Sequence, residues 1–539
     1  MKKWGALIVL SAAQFLMVLD QAVMNVSISQ LVEDFDTSVT VIQGVITFYA
    51  LTMAALMITG GKLGDKFGRR RAFTIGLIIY ASGSALTAVS WNVPSLLVGW
   101  SILEGIGAAL VLPALVALIA TTYQGADRAI AYGVIGGVAG AGIAVGPILG
   151  GWVTTEFTWR YVFVGEVIVA VAIVLAVGLI NGGKEAPSDE PIDWVGAALS
   201  AAGLGLVVYG VLQASAWGWI TNTDSPVSPF GLSLTPFVVG AGVMVLWTFF
   251  RWSERRTERG EAPLFRLGLL QIPPLRTGLQ MFLAQNLILM GVFFSIPLYL
   301  QVVQGLDALD TGLRMLPVSV TMFIMSFVGA KLSQRFTPRA IVSSGLWILL
   351  AAILLMMSTV KPVLEGPAFA TAMALLGVGM GLMASQLGNV IQSSVTPRDR
   401  SEAGGLQYTA QQLGSAMGTA FIGAVVISAL ASTFTAQVSD DDRISAEVSQ
   451  QISVSLNGSI EFIPSEALAE SLGETDLPDD EAAAVVEAYE DGQLVALRLG
   501  LFFGAGIVIA ALVLARKLPD MSFEELAEAV GDSAGVQSC

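Results

Sequence analysis

Three carboxylic acids sit where few are tolerated. Asp20, Glu104 and Glu166 each lie inside a long apolar stretch, with no Lys or Arg at their depth. An ionised carboxylate in the middle of a membrane-crossing helix costs roughly 2.5–3.5 kcal/mol on insertion scales, so such a residue marks chemistry or a dedicated partner. The chemistry open to it is narrow. The chain has no histidine, so a proton carried through these stretches must ride on Asp or Glu, and histidine-based metal sites and catalytic triads are excluded. The one cysteine, Cys539, permits no intrachain disulfide and reads as a bland tail thiol. No metal and no cofactor are expected, and no residue set supports an enzymatic reaction. Each acid alone also fits a plainer role, a hydrogen-bonded group joining two helices.

The elements that must position these acids are membrane helices. Hydrophobic residues make up 54% of the chain and charged residues 13%, against roughly 25% charged in a soluble domain. A helix needs about 20 apolar residues to cross a bilayer, and the apolar pattern divides into fourteen spans. They run at 4–31, 39–60, 72–90, 95–123, 129–154, 159–180, 193–214, 233–252, 276–303, 311–334, 340–359, 367–394, 403–432 and 494–515. The first is expected to be a span, not a cleaved leader, because it is too long and carries Asp20. Placing both termini in the cytosol puts 22 of the 27 basic residues on the cytosolic side, as the positive-inside rule requires. Asp20 then lies about 24 Å into its span, and Glu104 and Glu166 roughly 12–14 Å from the outer ends. Three acids crowd the outer half of spans 1–6, an arrangement suited to exchanging protons against a cation. Glu166 is the weakest member, since the fold implied by the motifs described below turns its span away from the central cavity.

Further polar side chains share these helices. Gln14 and Gln21 lie on the Asp20 stripe; Asn286, Asn389, Gln392, Gln407 and Gln411 dot the second half, where the last four form i,i+3 and i,i+4 pairs. They read as cavity contacts, with helix-to-helix hydrogen bonding as the alternative.

The net charge of −15 is concentrated in one place. Residues 433–492 hold 15 acids against Arg443 alone. Within this loop, Ile452 to Phe462 alternates apolar and polar residues around Asn457-Gly458, which predicts a β-hairpin with a type I′ turn. Helices are expected at Glu466–Leu472, capped by Ser465, and at Asp479–Tyr489. The segment reads as a small solvated external cap, with a docking or gating surface for an extracellular partner as the alternative. The arginines from Arg251 to Arg259 read as a linker against anionic lipid headgroups, not as a nucleic-acid patch.

Two motifs tie the spans to a known family. Gly61-Lys62-Leu63-Gly64-Asp65-Lys66-Phe67-Gly68-Arg69-Arg70 resembles motif A of the major facilitator superfamily, and Gly133, Gly142, Gly146-Pro147 and Gly150-Gly151 resemble its motif C, the mark of the antiporter branch. Leu19-Asp20-Gln21-Ala22-Val23-Met24-Asn25-Val26 resembles the span-1 signature of the fourteen-helix drug:proton antiporters. Leu103-Glu104-Gly105-Ile106-Gly107 resembles motif B, but Ser101 replaces its arginine and Glu104 its glutamine.

The resemblance implies an all-α membrane protein of major facilitator fold: two six-helix bundles, two inserted helices, and a cap between helices 13 and 14. The bundles are expected at 1–182 and at 276–432 with 494–517, the inserted pair and basic linker at 183–275, the cap at 433–493, and a tail at 518–539. It implies that Gly61, Asp65, Gly68, Arg69 and Arg70 form a conformational latch, and that Gly142, Gly146, Pro147, Gly150 and Gly151 pack helices closely, Pro147 bending its helix. The implied activity is proton-coupled export of lipophilic, cationic compounds across a bacterial cytoplasmic membrane, by a monomer, with Asp20 and Glu104 as carriers. A lipid or lipid-linked exporter with weak coupling stays open because of Ser101, as does a non-transporting receptor or scaffold.

Overall fold

Helices longer than a bilayer is thick arise here because apolar residues run on without breakers, and they begin where the sequence supplies a starter. Asn92 accepts a hydrogen bond from the Ser95 amide while Ser95 returns one, Asp193 caps through the Gly196 amide, and prolines open the helices at Thr235, Pro273 and Pro338. The computed structural model describes residues 4–37, 39–180, 191–220, 225–306, 308–364, 366–396, 399–455, 462–473, 477–521 and 525. Lys184, Arg398, the Asn457-Gly458 turn and Cys539 lie outside the described residues.

Fourteen long helices order the chain. They are α1 (Gly5–Val26), α2 (Val39–Phe67), α3 (Arg69–Ala88), α4 (Gly105–Thr122), α5 (Gly125–Glu156), α6 (Arg160–Ala176), α7 (Trp194–Trp217) and α8 (Thr235–Glu258). Then follow α9 (Pro273–Pro297), α10 (Ala308–Leu332), α11 (Pro338–Thr359), α12 (Gly366–Ser393), α13 (Arg400–Asp440) and α14 (Asp479–Ala515). Thirteen of the described spans are long and apolar enough to cross a bilayer. α3, with three arginines at its start, is the less apolar one, yet Phe73, Leu77, Tyr80, Ser84 and Thr87 form a fully buried helical stripe facing its neighbours.

α1 to α6 pack among themselves, as do α9 to α14. The two groups meet along α5 against α10 and α12, and along α13 against α2 and α4. α7 lies on both α2 and α13 and pairs with α8, so the inserted helices touch both groups through a shared cluster including Ile58, Leu204, Phe249, Phe265 and Leu406.

Three expectations need correction. The fourth span is not one α-helix: a short turn at Val93–Leu96 passes into a π-helical stretch at Leu97–Glu104 before α4 begins. Residues 452–455 are helical, within Ala446–Ser455, not a strand. Val448 and Ile452, one helical turn apart, pack on the core there, which outweighs the alternating pattern. Finally, Asp479–Tyr489 is no separate helix. It is the start of α14, which with an equally extended α13 projects past the bilayer and carries the acidic segment. Phe434 and Tyr489 meet edge-to-face between the two extensions, 5.4 Å between ring centres.

Candidate functional site

Asp20, Glu104 and Glu166 come together. α1 brings Asp20, the end of the π-helical stretch brings Glu104, and α6 brings Glu166. Their exposures are 0%, 0% and 2%. One carboxylate oxygen from each lies within 4.8 Å of the other two. A π-helical turn shifts the face on which its residues emerge, and such turns recur at functional sites. Here it aims both Trp100 and Glu104 inward. A Cβ at Gly83 would sit 2.6 Å from the Glu104 stem, so α3 supplies the room that Glu104 occupies.

Neutral donors surround the acids. Trp100 Nε1 donates to Asp20 Oδ1 at 2.7 Å, and Thr87 Oγ1 to Glu104 Oε1 at 3.2 Å. Tyr80 and Ser84 both donate to Glu166 Oε2, each at 3.2 Å. The second oxygens, Asp20 Oδ2, Glu104 Oε2 and Glu166 Oε1, are buried without a hydrogen bond among the described residues. No Lys or Arg pairs with any of the three there. Tyr49 stacks on Trp100, the donor to Asp20, with ring centres 4.5 Å apart, and its hydroxyl is buried without a hydrogen bond among the described residues. Ser101, in the place of the motif B arginine, donates to the Val45 carbonyl at 2.7 Å and so binds α2 instead of serving Glu104. Three carboxylates this close cannot all be ionised in so dry a place without a compensating cation or proton. Glu166 is a full member of the cluster, against the expectation that it faces away.

The amides divide. Gln14 accepts from Tyr408 across the two groups at 3.0 Å, and Gln21 Nε2 contacts the Met53 sulfur. Asn286 bonds its own helix at the Phe282 carbonyl, 2.8 Å, and Asn389 Oδ1 accepts from Arg128 at 2.9 Å, while Asn389 Nδ2 is buried without a partner among the described residues. Both amide atoms of Gln392 and Oε1 of Gln407 are buried without partners among the described residues; Gln411 is half-buried.

The Gly61–Arg71 loop joins the two groups at one end. Gly61 lets α2 run against the start of α13, where a Cβ would lie 2.6 Å from the Ser401 carbonyl oxygen. Gly68, at φ 88°, turns the chain into α3. Arg69 Nε donates to Ser401 Oγ at 2.8 Å, and its NH2 reaches Asp65 Oδ1 at 3.5 Å. Arg70 is exposed and stands apart from this cluster. Sequence reading missed the strongest link, a buried ion pair from Lys62 Nζ to Glu402 Oε1 at 3.0 Å. Glu402 Oε2 also accepts from the Arg266 amide at 3.2 Å, while the Arg266 side chain pairs with Asp399 at 2.8 Å. Arg128, with Asn389 and Ser393, and Arg400, on the Ala120 carbonyl, add two further bridges. Lys62, Arg128 and Arg400 carried no signal beyond membrane sidedness, which any basic loop residue satisfies.

The motif C glycines form a packing seam. A Cβ at Gly142 would meet Val18 at 2.9 Å, one at Gly146 would collide with Ala22, and one at Gly150 would meet Val23 at 3.0 Å. α5 thus lies flush on α1, the helix that carries Asp20. α5 continues unbroken through Pro147. At the opposite end from the Gly61–Arg71 loop, Arg443 bonds Asp441 and Glu487 at 2.7 and 2.8 Å, and the hydrogen-bonding Arg443 guanidinium holds the Asp441 carboxyl below the usual carboxylate range.

The sequence profile of the Major Facilitator Superfamily matches residues 10–419. The probable actinorhodin transporter of Streptomyces coelicolor is 31% identical over 447 residues, 81% of this chain and 75% of that protein. The multidrug efflux pump LfrA of Mycolicibacterium smegmatis is 30% identical over 426 residues, 79% of this chain and 81% of that protein. Among solved structures, the human organic anion transporter TETRAN superposes with a TM-score of 0.56 at 14% identity, covering 95% of this chain and 97% of that one. The proton:xylose symporter XylE gives 0.57 at 12%, covering 97% and 98%. At such identities the structural likenesses bear on fold alone.

Proposed function

The chain belongs to the major facilitator superfamily and is a multi-pass membrane transporter of that fold, and from this premise we propose that it exports lipophilic, cationic compounds from a bacterial cell in exchange for protons. The observation that carries the reading is the meeting of Asp20, Glu104 and Glu166 in one buried cluster with no basic partner among the described residues. Such a cluster holds protons or a positive charge, and trading one for the other is antiport. The named relatives, a multidrug efflux pump and a probable actinorhodin transporter, support the export direction and the drug-like substrate.

Sidedness follows from the charges. The arginine-rich latch end faces the cytosol with both termini, and the acidic extension faces outward. The Lys62–Glu402, Arg69–Ser401 and Arg128–Asn389 bridges shut the cytosolic end here, and rocking of the two groups breaks and remakes them. Asp20 and Glu104 exchange protons, Glu166 shares the load, and Trp100 positions Asp20.

A second reading, export of a lipid with weak proton coupling, draws on an apolar fissure of about 410 Å³ between α1, α5 and α10, lined by Trp4, Leu7, Ile8, Ile130, Val134 and Phe327. Flux of a lipophilic cationic dye and of a fluorescent lipid into inverted vesicles, with and without a pH gradient, separates the two. Dye flux driven by the gradient and lost in Asp20→Asn supports antiport. Lipid flux indifferent to the gradient supports the second reading.

A further inference from the structure

The geometry points to a second occupant for the Asp20–Glu104–Glu166 cluster: a hard, oxygen-seeking cation of calcium size, bound in competition with protons. Every side chain reaching the cluster offers oxygen except Trp100, which can only donate. That donor set selects a hard ion over zinc or copper. Calcium–oxygen bonds run about 2.3–2.6 Å, so oxygens up to roughly 4.6–5.2 Å apart can share one ion. Three oxygens no more than 4.8 Å apart meet that limit, and hydration narrows the choice. Magnesium demands about 2.0–2.1 Å and keeps several of its waters, for which side chains 0–2% exposed leave little room.

The bonding pattern is that of a ligand set. On each acid a neutral donor holds one oxygen, from Trp100, Thr87, or Tyr80 with Ser84. The other oxygen of each has no hydrogen bond among the described residues. Donors that hold one oxygen fix the carboxyl group and so orient the other, as supporting hydrogen bonds do around bound metals. An independent sign is Tyr49. Its side chain is 2% exposed and stacked on Trp100, which holds Asp20, and its hydroxyl has no hydrogen-bond partner among the described residues. It supplies a neutral fourth oxygen. Three carboxylates, one divalent ion and one retained proton sum to zero charge, the least costly total in a dry site. Sodium, of like size, leaves the cluster more negative.

The functional consequence rests on the antiport reading: an ion seated on the coupling acids blocks proton exchange, so calcium on the outer side slows efflux, and less so as pH falls. The binding claim itself stands apart from transport. Terbium(III) is the probe, a hard ion of calcium size whose emission is sensitised by a nearby indole, here Trp100. The purified full-length protein in detergent is titrated with terbium under tryptophan excitation. Saturable emission is expected, displaced by calcium, displaced at least tenfold less well by magnesium, and weaker in affinity as pH falls. Glu104→Gln/Glu166→Gln should weaken binding tenfold or more, while Asp441→Asn/Glu487→Gln in the acidic extension leaves it unchanged. Emission that tracks the extension variant, or that survives intact in the Glu104/Glu166 variant, overturns the proposal. Calcium calorimetry on the wild type, which needs no folded variant, must show one site and proton release; no heat of binding also overturns it. Substrate-triggered proton release without cation binding sinks this proposal alone, and cation binding without such release sinks the antiport reading alone.

Discussion

Lys62→Met should unlatch the cytosolic end. The Lys62–Glu402 pair spans 3.0 Å, with side chains 7% and 3% exposed, so solvent screens it little. Removing the lysine leaves Glu402 buried without its cation, held by the Arg266 amide. Breaking a buried pair from one side costs about 3–5 kcal/mol, because a charge is stranded. At 1.4 kcal/mol per factor of ten, that shifts the balance between latched and open states by roughly 150- to 5,000-fold. The double variant Lys62→Met/Glu402→Gln strands no charge and should recover most of the loss, a coupling that a double-mutant cycle reads directly. Nitroxide labels at Arg70 and Arg335, both exposed at this end on opposite groups, report the gap once Cys539 is changed to serine. The wild type should give one short distance, Lys62→Met a longer or broader one, and the double variant a return toward the first. An unchanged distribution in Lys62→Met, or a double variant as open as the single, refutes the reasoning.

Other outcomes follow from the same contacts. Gly146→Leu drives a side chain into Ala22 of α1, and overpacking of this kind costs typically 1–3 kcal/mol; the melting temperature and efflux should both fall, whereas Gly165→Ala, with nothing near its Cβ direction, should change neither. Trp100→Phe keeps the ring stack on Tyr49 but removes the donor to Asp20, so efflux should drop at least tenfold and its pH profile should move; an unmoved profile would make Trp100 mere packing. Glu166→Gln should impair gradient-driven efflux about as much as Glu104→Gln, and near-normal flux would return Glu166 to a packing role. At the extension, Asp441 is held below its usual range by Arg443, so its stabilisation is present above about pH 3.9 and is lost as pH falls through its folded value. Amide exchange around Asp441 should quicken in that acid window, and Arg443→Ala should show the fast exchange already at neutral pH.

The sequence made legible what depends on local composition. Apolar runs located the membrane helices, and the acids within them were identifiable because charge in hydrocarbon is costly wherever it occurs. What depended on distant partners was hidden. Lys62 meets Glu402 340 positions away, and nothing near Lys62 distinguishes it from a topology-setting lysine. Glu166 ranked lowest of the three because nothing in its own span shows that α3 and the π-helical stretch will bring Tyr80, Ser84 and Glu104 to it. Tyr49, Tyr80 and Trp100 passed unremarked, since buried aromatics are ordinary in membrane helices and only their hydroxyl and indole contacts mark them. The alternating pattern misled at residues 452–455, which are helical, for a related reason. Ile452 packs partly buried on the core one turn from Val448, and tertiary packing overrode the local alternation.

Proton counting tests the central claim most directly. Adding a transported lipophilic cation to the purified protein in weakly buffered detergent should acidify the solution as the passenger displaces protons from the Asp20–Glu104–Glu166 cluster. The Asp20→Asn/Glu104→Gln variant, otherwise folded, should release none. Equal release from both proteins, or binding to the wild type with no release at any pH, would contradict the account.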